Sequence, residues 1–229
     1  MLFNKFEALI FDMDGVITLT EPYHAEAERD ICLECGFNVP LSEWEKFRGK
    51  TADDIFTYLI ATYGHGQPLD MHDLIRRKTA RYEAICRQRG IPSVPGVVDF
   101  IRWARESFPK IALATSSNSV IQRLTFDALG LHPYFDAVVT GDDLTRGKPD
   151  PQAYLLAAER LGAKPERCLV IEDSDNGVRA GKAAGCLVAG ITTEFSRQVL
   201  TDCGADFVVD DYTELRRRLN PPIRGLFVP

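Results

Sequence analysis

The stretch ALIFDMDGVIT (8–18) carries an apolar run into two aspartates, Asp12 and Asp14, one residue apart. Leu9, Ile10 and Phe11 read as a strand buried on both faces. In extended chain, side chains at i and i+2 point the same way, so two carboxylates are aimed at one spot where a buried strand surfaces. Like charges that close push one of the pair toward protonation. Such a pair suits a division of labour between a carboxylate that attacks and a carboxyl that moves a proton.

Polar groups recur at the ends of other strand-like runs. "IALAT" (111–115) leads into Thr115-Ser116-Ser117-Asn118, "AVVT" (137–140) is followed by Gly147-Lys148-Pro149, and "CLVIED" (168–173) ends on Glu172-Asp173-Ser174. Acids from separate strand ends suit an oxygen-seeking divalent ion, Mg²⁺ first among them. Hydroxyls, turn amides and a lysine suit the oxygens of a phosphoryl group. Taken singly, each group has an ordinary reading: Asp12, Thr115 and Asp173 as helix caps, Lys148 as solvated surface. Their joint occurrence at four successive strand ends is what capping does not explain, because ligands of open parallel sheets bind at the carboxyl ends of the strands.

The elements that must hold these groups can be read from periodicity. From Gly96 onward helices and strands alternate: a helical face at Val97, Ile101 and Ala104, another at Ile121, Leu124 and Ala128, and helices near 152–161 and 176–184, with further strands at "LVAGI" (187–191) and "FVV" (207–209). That alternation implies an α/β fold, a Rossmann-like parallel sheet covered on both faces. Residues 16–90 are helical instead. Tyr23, Ala27, Ile31 and Cys35 make one stripe stopped by Gly36, Thr51 with Asp54 reads as an N-cap, and Leu74, Tyr82, Ile85 and Cys86 stripe a longer helix that Gly90 ends. "IPSVPG" (91–96) is a linker signature. The expected division is a core of residues 1–15 and 94–229 with an inserted α-helical cap at 16–93.

Bulk composition narrows the function classes. The 229 residues are 45% hydrophobic and 26% charged, ordinary for a chain with a real core, and the formal charge of −6 argues against nucleic acid or an anionic membrane as partner. No apolar run approaches the roughly 18 residues of a spanning helix, and the N-terminus lacks a cleavable signal pattern; the expectation is a cytoplasmic monomer acting on a small molecule. Six cysteines (32, 35, 86, 168, 186, 203) are scattered. Cys32-x-x-Cys35 has a redox or metal spacing but no second pair or histidines to complete a site, so all six read as small buried residues.

In four motifs the chain resembles the haloacid dehalogenase-like superfamily, and within it the capped phosphatases and β-phosphoglucomutase-like phosphomutases. "FDMDGV", "ATSS", "GKPDP" and "IEDSDNG" look like its first to fourth motifs, and the cap falls between the first two. The resemblance implies Asp12 as the nucleophile that forms an aspartyl-phosphate and Asp14 as the acid/base. It implies that Thr115, Ser116 and Lys148 hold the phosphoryl oxygens. Mg²⁺ would be bound by Asp12, Asp173 and the backbone carbonyl of Asp14, with Glu172 as a further ligand. His24, Arg48, Gly49 and Lys50 would face the substrate from the cap.

Rival readings fall on particular residues. The dehalogenases that name the superfamily lack the second aspartate. A P-loop needs four residues between its glycines and a Ser/Thr after Lys, whereas Gly141 and Gly147 are separated by five and Pro149 follows Lys148. No GxGxxG supports a dinucleotide site. A phospho-accepting receiver domain places its acids before its hydroxyl, whereas Glu172 and Asp173 come last, and a non-catalytic binding relic would be missing a core group. Between phosphatase and mutase, "DGVIT", Tyr23-His24 and Glu172-Asp173 look mutase-like, yet Ala52 stands where mutases carry the arginine that grips a second phosphate. Leu19 likewise replaces an acid. A mutase would then depend on Arg48, Lys50 or Lys78, and the expectation is a phosphatase of a sugar phosphate or related monoester.

Overall fold

The computed structural model describes residues 6–47, 50–66 and 68–219. Six strands form one parallel sheet: β1 (Ala8–Phe11), β2 (Lys110–Ala114), β3 (Ala137–Val139), β4 (Cys168–Glu172), β5 (Leu187–Ile191) and β6 (Phe207–Val209), in spatial order β3-β2-β1-β4-β5-β6. β1 is central because its residues are apolar without interruption: Ala8 pairs with Lys110 on one side and Cys168 on the other, and all four side chains are buried. The reversal of strand order beside β1 is the switch point at which open α/β sheets bind ligands.

The two-residue period of the strands divides the core. Leu9, Phe11, Leu113 and Ile171 pack on one face with α4 (Val97–Ser107), α5 (Ser119–Leu129) and α9 (Tyr212–Leu219). Ala8, Ile10, Ala112 and Val170 pack on the other with α6 (Gln152–Leu161), α7 (Asp175–Ala183) and α8 (Arg197–Asp202). α8 and α9 are additions to the sequence reading. α8 is only six residues long and α9 has an Arg-rich, polar sequence, so neither shows a full apolar stripe.

Between β1 and β2 lie α1 (Glu21–Glu34), a 3-10 turn (Leu41–Phe47), α2 (Ala52–Tyr63) and α3 (Met71–Arg89). These helices build their own apolar cluster around Ile31, Trp44, Phe56, Leu59 and Leu74. Thr51 Oγ1 accepts the Asp54 amide at 3.2 Å, the N-cap expected for α2. Gly90 ends α3 at φ 78°, a conformation that favours glycine. The two segments that join this cap to the sheet pair with each other: the Leu19 amide donates to Pro92 at 2.8 Å and the Val94 amide to Ile17 at 2.9 Å. Ala27, Tyr82 and Ile85 belong to the same cluster as Leu9 and Phe11, so the base of the cap is packed onto the sheet layer.

All six cysteines are free; Cys32, Cys86, Cys168 and Cys186 are buried as expected, whereas Cys35 and Cys203 are half-buried. No helix among the described residues is long and apolar enough to cross a membrane.

Candidate active site

Because every strand is parallel, the carboxyl ends of β1, β2 and β4 open at one edge, and the loop after β3 reaches over it. Asp12, Asp14, Thr115, Ser116, Lys148 and Asp173 all line one cleft there, roofed by the cap. The six groups come from four segments spread over 162 positions, from 12 to 173 counted inclusively.

Lys148 is the hub of the buried part. Its ammonium donates to Asp12 Oδ1 at 2.7 Å and Glu172 Oε1 at 2.6 Å, and it is 3% exposed. Burial alone would depress its pKa, but the charges of Asp12 and Glu172 outweigh that and keep it protonated. Glu172 was expected as a metal ligand, and its carboxylate is already crowded with donors. Oε1 also accepts Tyr154 Oη at 2.5 Å, while Oε2 accepts the amides of Asp173 (3.0 Å) and Ser174 (3.1 Å) and the Ser174 hydroxyl (3.0 Å). Although burial acts the other way, Lys148 and these donors hold Glu172 below the usual carboxylate range. It anchors Lys148 and the turn from β4 into α7.

That turn depends on a glycine. A Cβ on Gly177 would lie 1.8 Å from Glu172 Oε1. Gly177→Ala is therefore expected to lower stability by about 1–3 kcal/mol through overpacking and to displace Lys148. A thermal melt and a phosphate-release assay check both effects.

Asp12, Glu172 and Asp173 place one oxygen each within 4.8 Å of one another, the metal-capable group found among the described residues. Burial, reinforced by Glu172 and Asp14 and opposed by Lys148, pushes Asp12 up to about 7. Burial and the charges of Glu172 and Asp12 raise Asp173 well above its ordinary value. Gly15 leaves room for this: a Cβ there would sit 1.8 Å from Asp173 Oδ2. Three desolvated carboxylates with one ammonium between them make a site that a hard divalent cation would relieve.

Of the pair in which one aspartate is expected to be pushed toward protonation, Asp12 is that one and Asp14 goes the other way. Its Oδ1 accepts Thr20 Oγ1 at 2.8 Å and meets His24 Nε2 at 3.1 Å, and its Oδ2 accepts Ser117 Oγ at 2.9 Å. Burial raises it, but His24, Thr20 and Ser117 together overcome burial and hold it well below the usual range. His24 Nδ1 lies 2.8 Å from Lys78 Nζ, so the imidazole bridges Lys78 and Asp14. Lys78 is also 3.4 Å from Glu28, and His24 stacks on Tyr82 with ring centroids 4.3 Å apart. Lys78, which also lines the cleft, is thus already partnered within this chain. Thr20 and Tyr154 were missed in the sequence, and Ser117 is among the strand-end hydroxyls but without its role toward Asp14; only their proximity in the fold distinguishes Thr20 and Tyr154 from other hydroxyls.

Thr115, 1% exposed, accepts the Ser117 amide at 3.0 Å and shapes the loop after β2. Lys50 is exposed at the cap side of the cleft, and Ala52 lines it with no side chain able to reach a ligand. Arg48 and Gly49 lie outside the described residues.

A central parallel sheet, a switch-point cleft of acids, hydroxyls and one buried lysine, and an inserted helical roof define a capped α/β phosphatase, a phosphoric monoester hydrolase. The model for "haloacid dehalogenase-like hydrolase" matches residues 6–185, and the chain belongs to that family. It is 34% identical over 184 residues to the fructose-1-phosphate phosphatase YqaB of Escherichia coli, covering 80% of this chain and 95% of that one. It is also 34% identical to a phosphorylated carbohydrates phosphatase of Thermotoga maritima, covering 78% and 82%. Among solved structures, a variant of CbbY from Rhodobacter sphaeroides in complex with xylulose-(1,5)-bisphosphate superposes with a TM-score of 0.80 at 28% identity, over 92% of this chain and 96% of that one.

Proposed function

We propose that the protein is a Mg²⁺-dependent phosphatase that hydrolyses a small sugar phosphate or related phosphomonoester through an aspartyl-phosphate on Asp12. The observation that carries this reading is the convergence of Asp12, Asp14, Lys148 and Asp173 on one cleft. The donor set fits Mg²⁺, with Asp12, Asp173 and the Asp14 backbone carbonyl as ligands and Glu172 close by. Bound there, the ion would offset the charge of the phosphoryl group.

Asp12 attacks phosphorus as the bond to the leaving oxygen breaks, and Asp14 protonates that oxygen. Water that Asp14 deprotonates then attacks the same phosphorus, releasing Asp12 and inorganic phosphate. Lys148, held by Glu172, neutralises Asp12 in the free protein and faces the phosphoryl oxygens once they arrive. Thr115 and Ser116 hold the remaining oxygens. Asp14 is ionised as found, the form that accepts a proton from water. Its donor form requires substrate to disturb the contacts with His24, Thr20 and Ser117. We place the cap at 16–93 and the core at 1–15 and 94–229, with the paired joins near Leu19 and Pro92 as the pivot that admits substrate and excludes bulk water.

The phosphomutase reading draws on "DGVIT", Tyr23-His24 and the acidic Glu172-Asp173 pair, and is weakened by Ala52 and by the commitment of Lys78 to His24 and Glu28. Incubation with β-glucose 1-phosphate, Mg²⁺ and a trace of the 1,6-bisphosphate separates the two. The expected result is phosphate release from this or another sugar monophosphate with little isomerisation. Rapid glucose 6-phosphate formation without matching phosphate release would make the protein a mutase.

A further inference from the structure

Tyr154, on α6, is fully buried beneath the cleft and meets both Lys148 and Glu172. Its hydroxyl donates to Glu172 Oε1 at 2.5 Å, and the same oxygen accepts Lys148 Nζ at 2.6 Å. Its ring faces that ammonium, with Nζ 4.9 Å from the centroid. Glu172 Oε2 is taken up by the Asp173 and Ser174 amides and the Ser174 hydroxyl, so the hold of Glu172 on Lys148 runs through Oε1. The ring belongs to the same apolar cluster as Ala112, Val139 and Val170. Phenylalanine would fill that space equally well, so packing does not account for the hydroxyl.

What the hydroxyl changes is how one lysine is divided between two anions. Lys148 also donates to Asp12 Oδ1 at 2.7 Å, so Asp12 and Glu172 draw it in competition. In a buried site each of these attractions is far stronger than in water. An oxygen that accepts two donors offers each a smaller share of its charge, so the Tyr154 hydroxyl weakens the pull of Glu172 on Lys148. The ring face attracts the ammonium without neutralising it. We propose that Tyr154 is a positioning residue for the reaction: by sharing Glu172 Oε1 it leaves Lys148 turned toward Asp12 and the incoming phosphoryl oxygens. The proposal rests on the phosphatase reading and adds to it a residue that acts through Glu172 and Lys148.

The test is Tyr154→Phe, which removes the hydroxyl and keeps the ring, alone and combined with Glu172→Gln. A hydrogen bond to a charged group is typically worth about tenfold or more, and kcat for a sugar monophosphate with Mg²⁺ is expected to fall by about that factor. KM is expected to change by less than about threefold, because Lys148 acts most strongly on the charge of the transition state. In Glu172→Gln the oxygen no longer bears the charge that Tyr154 shares, so adding Tyr154→Phe is expected to cost less than about twofold more. Crystal structures of the parent and of Tyr154→Phe need neither substrate nor turnover, so a failure of the phosphatase reading leaves their result standing. They are expected to show Lys148 Nζ drawn toward Glu172 and away from Asp12 in the variant. A merely structural Tyr154 would lower the melting temperature while kcat and the two Lys148 distances held, and that result would overturn the proposal. So would a loss in the double variant equal to the product of the two single losses, since Tyr154 would then act independently of Glu172.

Discussion

Asp12→Asn is expected to lower phosphate release by ~10⁴-fold or more, the order that loss of a nucleophile costs other covalent enzymes, while the fold survives. The side chain is 7% exposed, 2.7 Å from Lys148 and grouped with Glu172 and Asp173. Burial pushes its pKa up to about 7, so the folded chain holds an ionised Asp12 at a cost. Asparagine has nearly the same shape, removes the charge and opens no cavity. Lys148 keeps its second acceptor, Glu172, at 2.6 Å. The melting temperature is therefore expected to be unchanged or higher. Thermal melts beside a phosphate-release assay read both effects, and beryllofluoride should be found on the Asp12 carboxylate of the unsubstituted protein. A folded Asp12→Asn variant turning over within about tenfold of the parent would take Asp12 out of the covalent step.

The contrast between Asp12 and Asp14 shows what a linear chain can reveal about this site. Strand β1, its buried pattern and its abrupt end at Asp12 are visible because apolar runs of four or five residues flanked by polar turns have few other solutions. The meeting of the four motifs follows from parallel strands having their carboxyl ends on one side. What spacing does not carry is which charge neutralises which. Asp12 and Asp14 look alike in sequence, yet Asp12 shares its surroundings with Glu172 and Asp173, whereas Asp14 is met by Thr18, Thr20, His24 and Ser117. One of these groups, His24, comes from the cap and another, Ser117, from the loop after β2, 103 positions away. A reading of the two aspartates as an isolated pair expects one to be pushed toward protonation but does not say that it is Asp12. Glu172 is a similar case: Lys148 and Tyr154, 24 and 18 positions earlier, converge on it, so the acid expected beside a metal is also an anchor for the lysine. Lys78, 54 positions from His24, could be read as a free cation only until the fold set it against the imidazole.

The second large effect concerns the metal. Chelation is expected to abolish turnover, and Asp173→Ala to lower it by ~10³-fold or more, as loss of a group that offsets transition-state charge does elsewhere. Asp173 is 3% exposed, and burial with the charges of Glu172 and Asp12 raises it well above its ordinary value. The nearest cation, Lys148, is already divided between Asp12 and Glu172. A bound Mg²⁺ removes this excess of negative charge from the folded state alone, so it must stabilise the fold by mass action. At 100 times its dissociation constant the gain is about 2.7 kcal/mol, or roughly 5–10 °C for a chain of this size. Asp173→Ala relieves the repulsion and removes a ligand, so its melting temperature without metal should hold or rise while the Mg²⁺-dependent gain largely disappears. Glu172→Gln should behave differently: it loosens Lys148 and lowers turnover but retains most of that gain, because Asp12 and Asp173 remain. Melting curves with and without Mg²⁺ for the three proteins separate ligand from anchor without any substrate. Full turnover in excess EDTA, or an undiminished Mg²⁺-dependent gain in Asp173→Ala, would show that the acids of this cleft do not hold the ion on which the proposed chemistry depends.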